Sequence, residues 1–187
     1  MAVNLPLFLS LIIWGIGELY VYLKLTNKDG EIKDGGSSRL LEIGTILMLG
    51  LTIYLQFDNR FGHMYFKNWF PYLGLFITIG GVLFRQYSIY VLGAFFSGYV
   101  RVTKKHKLIQ HGPYKFFRHP SYFGSVISYL GMGIASSNIV CIFLLPIGIS
   151  GLYIYRTKVE EELLSKEFGE YYKNYKEKTW GFLPFVK

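Results

Sequence analysis

Residues 121–155, SYFGSVISYLGMGIASSNIVCIFLLPIGISGLYIY, are the stretch of sequence that decides the fold. These 35 residues include no charged side chain, and the polar pair Ser137-Asn138 divides them into two apolar halves, Ser121–Ser136 and Ile139–Tyr155. At 1.5 Å per residue, each half is slightly shorter than the ~30 Å of hydrocarbon in a bilayer. The pattern predicts two short transmembrane helices that form a tight hairpin.

Three further apolar blocks precede this hairpin, at Leu5–Leu25, Leu40–Phe57 and Phe70–Gly93. The chain of 187 residues is 51% hydrophobic and 17% charged, whereas a soluble domain of this size needs more polar surface. The first block lacks preceding basic residues and an evident cleavage site, so we expect a retained span rather than a signal peptide. The sequence therefore predicts an all-α integral membrane protein with about five transmembrane helices.

The cysteine content excludes one class of protein, and the histidine content argues against another. Cys141 is the one cysteine, so an intrachain disulfide is impossible and a secreted disulfide scaffold is excluded. Four histidines without a Cys-x-x-Cys pair indicate that the chain has no metal site.

The net charge of +8 is a signal of membrane topology. If the five blocks cross in turn, one side of the membrane carries 17 of the 20 Lys and Arg residues and the other side carries two, while Arg85 lies inside a span. The positive-inside rule then places the N-terminus outside and the C-terminus in the cytoplasm. We therefore expect no nucleic-acid partner. The basic residues can instead contact membrane lipids with anionic headgroups.

Past Tyr155 the chain keeps a helical pattern and becomes amphipathic. Apolar side chains recur at spacings near three and four, with charged residues between them: Leu163, Leu164, Phe168, Tyr171, Tyr172 and Tyr175. We predict a cytoplasmic C-terminal helix in a single domain, 1–187. Residues 1–93 form its three-span scaffold, and residues 94–187 carry the loop, hairpin and helix in which we expect the chemistry.

A polar motif lies directly before the hairpin. Pro120 disfavours helix at His119 and suits the first turn of a helix, so the chain turns at His119 and enters the fourth span there. A helix N-terminus favours an anion such as a carboxylate, with Arg118 and His119 as additional donors. Tyr114 and Tyr122 provide flat walls. An interfacial anchor belt is the alternative interpretation of the same residues.

A second motif, Arg156-x-x-x-Glu160-Glu161-Glu162, follows the hairpin. Arg156 and Glu160 are four residues apart on one helical face, where they can hold the opposite charges of a mixed ligand. The alternative is a surface salt bridge of little energetic value. Anionic headgroups would repel three consecutive glutamates, so at least one should face a cationic partner.

Two charged residues, Glu18 and Arg85, lie inside predicted spans. The proposed topology places each of them about 10–12 Å from the cytoplasmic end of its helix. A structural ion pair is the expected role, and a tunnel for a ligand is the alternative.

Together these elements resemble the isoprenylcysteine carboxyl methyltransferase family. The matching motifs are His106-x-x-Ile109-x-x-Gly112-Pro113-Tyr114, Arg118-His119-Pro120-Ser121-Tyr122-x-Gly124, Arg156-x-x-x-Glu160-Glu161, Phe168-Gly169-x-x-Tyr172-x-x-Tyr175 and Leu183-Pro184-Phe185. They extend from about Leu92 to the C-terminus, and the first three spans match only in number and hydropathy. Related phospholipid methyltransferases share the His-Pro and Glu-Glu elements.

The resemblance implies an integral-membrane enzyme that transfers a methyl group from S-adenosylmethionine to a lipid-linked acceptor. It assigns cofactor binding to His106, Lys107, Leu108, Ile109, Tyr114, His119, Pro120, Ser121, Tyr122 and Glu160, acceptor binding to Arg156, and catalytic roles to Arg156 and Glu160. Several family members carry a polar side chain seven residues before His106, where this chain has Tyr99. No Gly-x-Gly-x-x-Gly follows a predicted strand, so we expect no Rossmann-type cofactor site.

The residues leave the chemistry of the acceptor open. A carboxylate is ionised at pH 7 and needs in-line placement and release from water, whereas an ammonium would first lose a proton to Glu160 or Glu161. Arg156 favours a carboxylate, as in an isoprenylcysteine. A phospholipid amine or another small lipophilic acceptor is the alternative, and a non-catalytic protein that binds lipid or a partner is the third hypothesis. We expect the acceptor to arrive through the bilayer and the cofactor from the cytoplasm, with no obligatory protein partner.

Overall fold

The computed structural model describes residues 4–25, 31–32, 35–58, 61–64, 67–97, 101–102 and 108–186. Six α-helices make up most of this part of the chain: α1 (Leu5–Tyr20), α2 (Ser37–Phe57), α3 (Phe70–Leu92), α4 (Pro120–Ala135), α5 (Ile139–Phe168) and α6 (Glu170–Lys178). A π-helical turn (Val21–Leu25) extends α1, and 3₁₀ turns lie at Gly93–Phe95 and Gly112–Lys115. A minimal antiparallel pair joins β1 (Glu31–Ile32) to β2 (Arg101–Val102). The predicted helical architecture is confirmed.

Within the described residues, four helical segments are long and apolar enough to cross a membrane: Leu5–Leu23, Ser37–Phe57, Phe70–Phe95 and Ile139–Phe168. The fourth predicted span corresponds to α4, which has 16 residues and is about 24 Å long at 1.5 Å per residue. This is less than the ~30 Å of hydrocarbon, so the count of five spans stays a prediction. In contrast, α5 has 30 residues and is about 45 Å long, so its last turns extend past the apolar layer.

The turn between α4 and α5 is organised by Asn138. Its side-chain oxygen accepts the N–H of Val140 at 2.9 Å and that of Cys141 at 3.4 Å, which caps the start of α5. Its side-chain amide donates to the carbonyl of Phe61 at 2.7 Å. The N–H of Ile139, next to it, donates to Gly62 at 2.8 Å. The loop at 61–64 therefore closes this end of the helix pair.

The contact between α3 and α4 is built on glycines. Those on the contact are Gly74 and Gly81 of α3, and Gly124 and Gly131 of α4. A Cβ atom placed on Gly81 would lie 2.5 Å from the backbone nitrogen of Ser128, and one on Gly131 would lie 2.4 Å from that of Thr78. Small residues allow such close backbone packing between membrane helices, where lipid provides no hydrophobic drive for association. The seven-residue spacing in both helices was the sequence signal for this contact.

An ion pair joins α1 to α3 within the apolar part of the fold. Arg85 Nε lies 2.7 Å from Glu18 Oε1, and Arg85 Nη2 lies 2.9 Å from Glu18 Oε2. The adjacent Gln86 amide donates to the carbonyl of Gly17 at 2.8 Å. The structure therefore contains the expected pair, with both nitrogens of the guanidinium fork used in the bidentate geometry that favours such a contact.

The polar segments sort to the two ends of the helices. Ser38, at the start of α2, contacts Arg156, late in α5, and Arg118 before α4 contacts Glu161. Segments 35–38, 111–119 and 156–186 therefore meet at one end, which we call the polar end. The loop at 61–64 meets the turn at Asn138 at the other end. This grouping is the one that helices crossing in turn would produce.

We expect Gly81→Ala to lower the melting temperature of the protein in detergent, because the new methyl group would meet backbone atoms of α4 that cannot turn aside. Overpacking of this kind costs about 1–3 kcal/mol. Gly80→Ala is the matched control, since nothing lies within 4 Å of a Cβ atom at Gly80. Thermal unfolding of both variants measures the difference. A melting temperature of Gly81→Ala equal to that of Gly80→Ala would contradict the close contact.

Candidate functional site

The polar end contains a group of shielded charged and aromatic side chains from α4 and α5. His119 precedes α4, Tyr122 lies in its first turn, and Arg156, Glu160 and Glu161 follow the apolar part of α5. We call these five residues the charge cluster. Arg156 is 2% exposed and His119 is 7% exposed, so water has little access to either cation. The length of α5 past the apolar layer is what brings its charged turns beside the start of α4.

Glu160 is the centre of the charge cluster. Its Oε1 accepts from Arg156 Nε at 3.1 Å and from the hydroxyl of Tyr122, while its Oε2 lies 3.2 Å from His119 Nδ1. Arg156 Nε also donates to the Tyr122 hydroxyl at 2.7 Å. The predicted contact between Arg156 and Glu160 is confirmed, and Arg156 is buried rather than part of an exposed surface pair. Removing one partner of such a buried, hydrogen-bonded pair strongly destabilises a protein, because the other charge is left buried without a partner.

Glu161 forms a second set of contacts on another side of α5. Its Oε1 lies 2.7 Å from Arg118 Nε and 3.3 Å from His119 Nε2, and its Oε2 lies 2.6 Å from Lys176 Nζ. The prediction that at least one glutamate faces a cationic partner is confirmed. His119 therefore bridges the two carboxylates, one through each ring nitrogen.

Arg118 binds the C-terminal segment. Its Nη1 donates to the carbonyls of Thr179 at 2.7 Å and Lys176 at 3.1 Å, and its backbone N–H donates to the carbonyl of Trp180 at 2.8 Å. Carbonyl groups at the end of a helix such as α6 lack intrahelical partners and need donors of this kind. These bonds give Arg118 a structural role, and its role as an additional donor to a ligand stays a prediction.

The first turn of α4 differs from the anion site expected at a helix N-terminus. The N–H groups of Tyr122 and Phe123 donate to the carbonyl of His119 at 3.1 and 3.4 Å, and Pro120 has no N–H. The N–H of His119 itself points to the carbonyl of Gly181 at 3.5 Å. Backbone carbonyls therefore accept from these three N–H groups, and the side chains of the charge cluster are the main groups that a ligand would meet.

Aromatic rings stack against the charge cluster. The rings of His119 and Tyr122 are 5.5 Å apart and 4° from parallel, and those of Tyr122 and Tyr153 are 4.2 Å apart and 13° from parallel. Phe182, from the C-terminal segment, meets Tyr153 edge-on at 6.1 Å. Sequence analysis missed Tyr153 and Phe182. The spacing of Tyr153 three residues before Arg156 was the available signal for the first, because i and i+3 share a helical face.

The other predicted cofactor residues have different positions. His106 and Lys107, like Tyr99, lie outside the described residues. Leu108 and Ile109 are partly buried in the irregular segment that leads to the 3₁₀ turn. That turn holds the buried Tyr114, whose carbonyl accepts from the Tyr175 hydroxyl at 2.7 Å. The structure brings together His119, Pro120, Ser121, Tyr122, Arg156 and Glu160, and their roles in ligand binding stay predictions.

The two glutamates change the acidity of His119. Burial alone would lower the pKa of this imidazole, but hydrogen bonds and charge from Glu160 and Glu161 outweigh burial and raise the pKa above its ordinary value. The protonated ring is thus favoured in the folded protein, where it holds two adjacent carboxylates.

The raised pKa of His119 makes stability depend on pH. A group with a raised pKa stabilises the fold fully below its ordinary pKa of about 6.5 and loses that contribution as pH rises through the folded-state value. We expect the melting temperature in detergent to fall as pH rises from about 6 to about 9, and His119→Gln to reduce the slope. His111→Gln is the control because His111 is exposed. Equal slopes for wild type and His119→Gln would contradict this role.

Comparison with known proteins identifies the family. The sequence profile described as the isoprenylcysteine carboxyl methyltransferase (ICMT) family matches residues 73–166. The match covers half of the chain and includes the α4–α5 pair with Arg156 and Glu160. The chain belongs to this family.

Relatives of this ICMT-family chain match it over different lengths. A rice protein (Oryza sativa subsp. indica) named "Probable protein-S-isoprenylcysteine O-methyltransferase" is 31% identical over 124 residues, which are 65% of each chain. Protein-S-isoprenylcysteine O-methyltransferase A of Arabidopsis thaliana is 28% identical over 184 residues, which cover 96% of this chain and 92% of the relative. The present chain therefore spans slightly less than two thirds of the rice protein and nearly all of the Arabidopsis protein.

A solved structure shares the fold of this ICMT-family chain. It is that of the eukaryotic intramembrane Ras methyltransferase isoprenylcysteine carboxyl methyltransferase, with a TM-score of 0.61 and 25% sequence identity over 80% of this chain and 53% of that chain. With its four long apolar helices, the chain is an integral membrane protein.

Proposed function

We propose that this chain transfers a methyl group from S-adenosylmethionine to the carboxylate of an isoprenylcysteine-type acceptor. The observation that carries the proposal is the buried pair of Arg156 and Glu160, joined at 3.1 Å where α5 leaves the apolar layer. The permanently charged guanidinium can bind an anionic group of one ligand, and the carboxylate beside it can bind a cationic group of the other. The names of the relatives support the reaction class.

The residues of the charge cluster fit S-adenosylmethionine. This cofactor carries an ammonium, a sulfonium and a carboxylate, together with a flat adenine. Glu160 provides a negative charge, protonated His119 provides a positive donor, and the rings of Tyr122 and Tyr153 provide a flat surface. The hydroxyl of Tyr172 is buried with no hydrogen-bond partner among the described residues, and such groups call for a ligand or an ordered water. When bound, the cofactor supplies an electrophilic methyl group.

The role of the protein in the proposed reaction is to position the acceptor and exclude water. A carboxylate is ionised at neutral pH and needs no general base, so the protein has only to orient it and to remove its bound water. Arg156 can bind it through parallel N–H donors, and the 2% exposure of that side chain limits competition from water. Glu160 and Tyr122 hold the guanidinium in place by bonding to its Nε. Arg156 is thus the proposed substrate-binding residue, with Glu160 shared between the two ligands.

The proposed site lies at the cytoplasmic face. The polar end belongs to the side of the predicted topology that carries 17 of the 20 basic residues, and the positive-inside rule places that side in the cytoplasm. The N-terminus is then outside and the C-terminus inside. A lipophilic acceptor reaches the site through the bilayer, while the water-soluble cofactor enters from the cytoplasm.

The proposed function is tested with S-adenosylmethionine labelled in its methyl group. We expect purified protein in liposomes to label a farnesylated N-acetylcysteine, and mild alkali to release the label as methanol, because the product is a methyl ester. Phosphatidylethanolamine is the second acceptor. Label that enters only the phospholipid and resists alkali would overturn the carboxylate assignment. Folded protein that neither transfers methyl nor binds S-adenosylhomocysteine would exclude the enzymatic function altogether.

The negative charge of Glu160 is tested by Glu160→Gln, which keeps the shape of the side chain. We expect at least tenfold weaker binding of S-adenosylhomocysteine, since a hydrogen bond to a charged group is worth about 1.5–3 kcal/mol. Glu162→Gln is the matched control, because Glu162 is 68% exposed and pairs with Lys166 on the same helix. Calorimetric titration measures both variants. Unaltered affinity in Glu160→Gln, in a protein shown to be folded, would remove Glu160 from the cofactor site.

A further inference from the structure

Arg156 reaches beyond the charge cluster to the start of α2. Its Nη1 donates to Ser38 Oγ at 2.7 Å, and Ser38 is 4% exposed in the first turn of that helix. The whole of α2 lies before residue 73, where the family profile begins to match. The proposed acceptor-binding residue is therefore joined to a part of the chain outside the profile match.

Ser37, the neighbour of Ser38, carries a buried hydroxyl without a partner. It is 1% exposed, and its Oγ makes no hydrogen bond in the part of the chain that the structure describes. Native proteins leave few buried hydroxyls unpaired, so each one needs an explanation. The Cα–Cβ bonds of a helix tilt toward its N-terminus, which directs the side chain of Ser37 toward the end of α2 that Arg156 approaches.

The backbone of this first turn also favours an anion. The helix of 21 residues begins after Gly36, which has a φ of +79° and makes no side-chain capping bond. The first N–H groups of a helix have no intrahelical acceptor, and they carry the positive end of the helix dipole. The described first turn includes no acidic residue. Gly36 therefore provides no capping side chain, and Ser37 and Ser38 provide the hydroxyl groups of this turn.

We propose that Ser37, Ser38 and the N-terminus of α2 complete the site for the carboxylate of the acceptor, opposite Arg156. This inference rests on the proposed function, because it assumes that the acceptor carries a carboxylate. A hydroxyl, a guanidinium and a helix N-terminus are all donors to the same kind of anion.

Ser37→Ala is the sharpest test of this site, because Ser37 Oγ has no partner to lose in the ligand-free protein. We expect the KM for the farnesylated N-acetylcysteine to rise about tenfold, as for loss of a hydrogen bond to a charged group. The dissociation constant of S-adenosylhomocysteine and the melting temperature should stay as in wild type. The carboxamide of the same compound, used as a competitive inhibitor, should lose much less affinity in Ser37→Ala, because a hydrogen bond to a neutral carbonyl is weaker than one to a carboxylate.

Two further variants complete the experiment. Ser88→Ala is the control, since Ser88 is fully buried in α3 and its hydroxyl donates to the carbonyl of Phe84 on the same helix at 2.8 Å; its KM should equal that of wild type. Ser38→Ala should raise the KM and also lower the melting temperature, because Arg156 Nη1 loses an acceptor. An unaltered KM in Ser37→Ala would overturn the inference, and so would an equal loss of acid and carboxamide binding. In either case, methylation of the carboxylate by wild-type protein would still support the proposed function. Wild-type protein that methylates no carboxylate overturns both.

Discussion

The burial of one guanidinium organises the polar end of this protein. A cation removed from water is unfavourable unless it is paired and hydrogen-bonded. Arg156 obtains its partners from three helices: Glu160 one turn further along α5, Tyr122 on α4 and Ser38 on α2. The requirement to satisfy this side chain therefore holds α2, α4 and α5 in one relative position. The ligand site that we propose is built from the same bonds that hold the helices together.

A second layer of contacts supports this arrangement from the C-terminal side. Neighbouring residues on a helix point about 100° apart, so Glu160 turns toward Arg156 while Glu161 turns toward Arg118 and Lys176. His119 lies between the two carboxylates and bonds to both. The C-terminal segment, which closes over this side through Trp180 and Phe182, is thus part of the site's framework.

Contacts between residues close together in the sequence could be predicted, whereas most contacts between residues far apart in the sequence could not. Apolar blocks and the four-residue spacing of Arg156 and Glu160 are local patterns, and they predicted the helices and the central ion pair correctly. The bond between Arg156 and Ser38 joins residues 118 positions apart, so it depends on how α2 packs against α5. Arg118 adjoins His119 and was expected to bind a ligand; besides Glu161, its acceptors are backbone carbonyls at the end of α6. No side-chain motif identifies such acceptors.

The central claim is that methyl donor and acceptor meet at the charge cluster, on opposite sides of the contact between Arg156 and Glu160. A structure determined with S-adenosylhomocysteine bound tests it most directly. We predict that the amino group of the ligand lies within hydrogen-bonding distance of Glu160, with its adenine against the tyrosine rings and Arg156 still bonded to Ser38. Ligand bound at another part of the molecule, with Glu160 contacting only Arg156, Tyr122 and His119, would contradict the claim.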